Sequence, residues 1–163
     1  MQKFALVSRS HFTLVALLAI FACASFAGCN APERVQNAKV NQECNDYLNQ
    51  GSADLLALMA TCNAETEPEK YLAGVVDIYA ELLANLRSLD ASGCSIEYRH
   101  ALNNFIAYIE KLANLSQELQ TLQQRITSEA SVADAQRMIE IGEEFETLSN
   151  QVDLEAFMLK AAI

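Results

Sequence analysis

The chain has no tryptophan, only two prolines and only five glycines in 163 residues. So few turn-forming residues exclude a sandwich or barrel built on many tight turns, and equally a Pro/Gly-rich disordered chain. Basic residues are scarce too: 11 Lys plus Arg stand against 21 Asp plus Glu, a formal net charge of −10. Without a basic face the chain cannot neutralise phosphates, which excludes a nucleic-acid partner. Histidine is limited to His11 and His100. There is no His-x-x-x-His pair, no Cys-x-x-Cys, no Gly-x-Ser-x-Gly elbow and no phosphate-cradling glycine loop. With no catalytic set to name, the expectation is a protein that is not an enzyme and carries no cofactor.

What is present begins with an export signal over residues 1–28. Lys3 and Arg9 form a positive start, and Phe12 to Ala27 (FTLVALLAIFACASFA) carries no charge. That run is shorter than the roughly 20 residues a membrane-spanning helix needs, and it ends in small residues, the pattern of a removable secretory segment. Without the signal, the remaining chain is about 48% apolar, as a globular domain should be. Lys3 and Arg9 leave with it, so the exported part becomes more acidic still.

Phe26-Ala27-Gly28-Cys29 resembles the lipobox of bacterial lipoprotein precursors. The resemblance implies that the Cys29 thiol becomes a thioether to diacylglycerol before cleavage, with Ala27 and Gly28 as the small residues beside it. Phe26 departs from the family's usual Leu. Two or more acyl chains anchor stably where one binds marginally. Asn30 takes the place where the Gram-negative pattern puts Asp for inner-membrane retention, so the resemblance implies an outer-membrane lipoprotein facing the periplasm. The competing expectation is ordinary cleavage after Ala27, with Ser25 and Ala27 as the small pair, giving a soluble secreted or periplasmic protein.

Residues 29–42 then read as the lipidated Cys and a flexible polar tether, because no sustained apolar period crosses them. Residues 43–163 read as an all-α domain, an antiparallel bundle of four to five helices. From Pro68 to about Asp90, Leu72, Val75, Val76, Tyr79, Leu82, Leu83, Leu86 and Leu89 form one wide stripe, with Pro68 in the first turn and Thr66 and Glu69 as a capping box. Over about 95–127, Tyr98, Phe105, Leu112, Leu119 and Ile126 recur every seven residues, with Leu102, Ile109, Leu115 and Leu122 between them. Ser131 should cap a last helix whose stripe is Ala135, Met138, Ile141, Gly142, Phe145, Leu148, Val152, Ala156 and Leu159, interrupted at Ser149-Asn150. Over 43–63 the helical period is continuous, yet Asn49-Gln50-Gly51-Ser52 looks like a C-cap followed by an N-cap, which predicts two short helices.

Cys44, Cys62 and Cys94 remain after the signal and Cys29 are set aside. Cys62 and Cys94 flank one helix and cannot pair, so any internal disulfide involves Cys44. A break at Gly51 places Cys44 beside Cys62; one continuous helix places it nearer Cys94. The two-helix reading favours Cys44–Cys62, against the alternative of three reduced core thiols.

The remaining chemistry-bearing residues have plainer explanations. Glu97 and His100 match Glu-x-x-His, but a di-iron bundle needs a second such motif. Met59, Met138 and Met158 could ligate haem only as departures from core packing. Cys94 at a helix start could have a lowered thiol pKa. Glu140, Glu143, Glu144 and Glu146 form an acidic run that usually stays a solvated face. Tyr71, Tyr79, Tyr98 and Tyr108 default to packing. Leu89 to Ala101 also resembles a stretch of uncharacterised exported helical proteins of proteobacteria, which implies no activity. The expectation is a lipid-anchored envelope protein working through contact with another envelope protein or as a structural element. The alternative is a bundle binding a small apolar ligand or a metal.

Overall fold

The computed structural model describes residues 32–128 and 131–163. These residues form an all-α fold of four helices without strands, as the sequence periodicity indicates: α1 Pro32–Thr61, α2 Pro68–Arg87, α3 Ile96–Ser128 and α4 Val132–Ala161. Consecutive helices pack against one another. Contacts fix the directions. Leu58 of α1 lies against Gly74 of α2, and Gly51 against Leu82, so those helices run antiparallel. Arg125 of α3 meets Asp134 of α4, and Glu118 meets Arg137, so α3 and α4 do the same. The signal and Cys29 lie outside the described residues.

α3 is the spine of the fold. Tyr98, Leu102, Phe105, Ile109, Leu112, Leu115, Leu119 and Leu122 are all buried, as their seven-residue recurrence requires. At about 1.5 Å per residue α3 is close to 50 Å long, whereas α2 is nearer 30 Å. The difference is taken up by residues 88–95, which run beside the first turns of α1: Gln36 donates to the Asp90 carbonyl at 3.3 Å, and a Cβ on Gly93 would stand 3.2 Å from Gln36.

Several expectations need correction. Residues 32–42 are not a tether but the first turns of α1, and they bury Asn37, Val40 and Asn41. The helix continues through Gly51 without a break, and a Cβ on Gly51 would stand 3.7 Å from Leu82, an ordinary contact. Gly74 is the position that requires its lack of a side chain, since a Cβ would fall 2.6 Å from Leu58 Cδ1. Ser149 does not interrupt α4. Its hydroxyl donates to the Phe145 carbonyl at 2.8 Å, so the hydrogen bond expected to compete with the helix is made inside it. Glu67, not Thr66, precedes α2, and no side chain caps that start. The turn before it is held instead by Asn63, whose side chain accepts from Glu65 N at 2.8 Å. The Ser131 cap is as expected, accepting from Ala133 N at 3.2 Å.

Candidate functional site

The most organised polar group in the fold centres on Asn37, which is 1% exposed. Its amide nitrogen donates to Ser95 Oγ at 3.2 Å and to the Ala162 carbonyl at 3.0 Å. Its amide oxygen accepts from Ser95 N at 3.0 Å. Ser95 Oγ also accepts from Tyr98 N at 3.2 Å, which caps α3. One side chain therefore ties the start of α1 to the start of α3 and the end of α4, closing the bundle at that end. Nearby, hydrogen bonds from Ser92 hold the Asp90 carboxyl below its ordinary value.

One and two turns along α1, Asn41 and Asn45 continue the same buried face, but their amide oxygens have no partner. The buried hydroxyls of Tyr79 and Tyr98 are also without a partner. An unpaired polar atom in the interior costs about 1–3 kcal/mol, so this seam is less favourable than the apolar packing around α3. Burial raises the pKa of both phenols; the thiols of Cys44 and Cys94 add to the effect at Tyr98.

Cys44, Cys62 and Cys94 are all buried and free. The expected Cys44–Cys62 bond is excluded by the continuity of α1, which sets the two about 27 Å apart along the helix axis against the roughly 6 Å a disulfide allows. Burial pushes the Cys44 thiol up to about 12 and raises Cys94 as well. The lowered thiol pKa considered for Cys94 is thereby reversed, because desolvation outweighs the favourable interaction with Arg99.

The other sequence candidates are scattered. Glu97 and His100 are both exposed on the first turns of α3. Met59 and Met138 pack against the core, while Met158 is exposed. Tyr71, Tyr79 and Tyr98 are buried as core, and Lys111 sits 4.6 Å over the Tyr108 ring. Among the described residues no three His, Cys, Asp or Glu side chains group for a metal.

The acidic run on α4 does gather a cation, but it is Arg137. The guanidinium donates to both Glu118 carboxylate oxygens, at 2.7 and 3.0 Å, and to Glu144 at 2.6 Å, with Glu140 at 3.5 Å. These bonds raise Arg137 and hold Glu118 below the ordinary carboxylate range. The groove beside them, between α3 and α4, has a volume of about 710 Å³ and is lined by Lys111, Asn114, Glu118, Glu140 and Glu143 among others. Leu115 and Leu148 line it too, so its walls mix charged and apolar side chains.

Sequence reasoning missed the asparagine face. The signal was available: Asn37, Asn41 and Asn45 are spaced by four and fall in phase with Val40, Cys44 and Leu48. Counting only apolar residues broke that period before Cys44. No protein-family model, no curated protein and no solved structure matches the chain.

Proposed function

We propose that this is a lipid-anchored protein of the bacterial envelope, held at the outer membrane through Cys29, which works by contact with another envelope protein or as a structural element and performs no catalysis. The observation that carries the reading is Phe26-Ala27-Gly28-Cys29 at the exit of the uncharged run from Phe12 to Ala27. Three features of the fold support it. No described helix is long and apolar enough to cross a membrane, so a membrane location would depend on some other attachment. The first described helix, α1, begins at Pro32, three positions along the chain from Cys29. Burial pushes the Cys44 and Cys94 thiols and the Tyr98 phenol toward their protonated forms, which suits packing and not nucleophilic attack.

Blocking lipoprotein signal cleavage with globomycin tests the anchor, together with a Cys29→Ser variant. The expected result is accumulation of the precursor under globomycin, and loss of the protein from the membrane fraction in the variant. Unchanged processing and an unchanged soluble product would end the lipoprotein reading. Crosslinking in intact cells followed by capture of the anchored chain then tests the contact role: a stoichiometric envelope protein supports it, and recovery of the chain alone counts against it.

A further inference from the structure

Eight large apolar side chains are exposed among the described residues, and five of them, Val35, Ile96, Leu154, Phe157 and Met158, lie toward one end of the bundle. It is the end closed by Asn37, where α1 and α3 begin and α4 finishes. Leu154, Phe157 and Met158 are spaced by three and four, so they share one face of α4. That face is opposite the buried stripe of Val152, Ala156 and Leu159. Phe157 is 67% exposed and Ile96 70% exposed, far more than core packing would leave.

We propose that this end of the bundle, led by Leu154, Phe157 and Met158, rests in the surface of the phospholipid bilayer. The proposal rests on the anchoring of Cys29 argued above. Only Asn30 and Ala31 lie between Cys29 and Pro32, a reach of about 10 Å even when fully extended. A lipid on Cys29 therefore holds the first turn of α1 close to the headgroups. Asn37 in turn holds the end of α4 to that turn through the Ala162 carbonyl. Apolar side chains kept at that depth are buried at the headgroup–acyl boundary, as on an interfacial amphipathic helix. Charge points the same way. At this end Arg34, Lys39, Arg99 and Lys160 nearly offset Glu33, Asp90, Glu97, Asp153 and Glu155. The opposite part of α4 carries Glu140, Glu143, Glu144 and Glu146 against Arg137, a net negative charge that an anionic surface would repel.

The absence of tryptophan makes the test direct, because F157W introduces a single indole at an exposed position. The full processed chain is reconstituted in vesicles of phosphatidylethanolamine and phosphatidylglycerol bearing brominated acyl chains, with L56W, toward the other end of α1, as the comparison. A blue-shifted F157W emission, quenched by half or more while L56W is unquenched, is expected. The mass of the Cys29 peptide reports lipidation separately. A lipidated Cys29 with an unquenched F157W overturns the surface and leaves the anchor standing. A blue shift without quenching that grows with protein concentration assigns the face to a second copy and also overturns it. F157W is read again in the Cys29→Ser chain at high vesicle concentration. Quenching there supports the surface independently of the anchor. No quenching there, with an unlipidated wild-type Cys29, removes both proposals.

Discussion

α1 and α3 are nearly equal in length, yet they bury very different faces. Among the described residues the buried side chains of α3 are apolar except for Ser116, Gln123 and the Tyr98 hydroxyl, and Ser116 returns its hydroxyl to the Leu112 carbonyl at 2.9 Å. The buried positions of α1 are Asn37, Val40, Asn41, Cys44, Asn45, Leu48, Gly51 and Leu55, three of them amides. α3 is therefore held by the non-directional burial of apolar surface, which rewards every buried side chain. α1 is held over its first turns by the bonded amide of Asn37, with two amides above it whose oxygens have no partner. The consequence is a bundle whose spine is generic and whose closing helix is positioned by specific hydrogen bonds.

Substitutions on the two faces should therefore differ in sign as well as size. The largest effect belongs to α3: Leu112→Ala, at a side chain with no exposure, should lower stability by about 3 kcal/mol in urea unfolding. Asn37→Ala should cost about 2 kcal/mol, since it leaves Ser95 N and the Ala162 carbonyl without their partner. Asn41→Leu should do the opposite. It replaces a buried amide oxygen that has no partner with an apolar group of similar size, and a gain of about 1 kcal/mol is expected. A loss there of the size expected at Leu112 would mean that the amide is satisfied and the contrast between the faces is false.

The smallest effect concerns pH. Partial burial raises the Asp153 carboxyl above its ordinary value. A raised carboxyl contributes stability that is present below the unfolded-state pKa and is lost as pH rises through the folded-state value. Asp153→Asn should therefore be slightly more stable than the native chain at neutral pH, with the difference closing as pH falls below about 4. A difference that widens on acidification would show that the group is stabilised in its charged form.

The contrast also explains what could be read from the sequence. The heptad row from Tyr98 to Leu119 and the Ser131 cap were legible because burial there follows hydrophobicity and a local side-chain hydrogen bond. Residues 32–42 were not, because their buried positions are Asn37, Val40 and Asn41, and an amide looks like a solvent-facing residue until its partners are known. Those partners lie far along the chain, at Ser95 and Ala162. The continuity of α1 through Gly51 was hidden for a related reason. Asn49-Gln50-Gly51-Ser52 carries local stop and start signals, and tertiary packing of Leu48, Gly51 and Leu55 overrides them. The Cys44–Cys62 pairing failed with the break on which it depended.

The central claim is that residues 32–42 form a docked helix. Amide hydrogen exchange of the full chain tests it most directly. The account predicts that amides beyond the first turn, from Gln36 to Gln42, exchange far more slowly than an unstructured peptide, and that Asn37→Ala selectively accelerates them while α3 stays protected. Exchange of that segment at the rate of a free tether, with α3 protected, would contradict it.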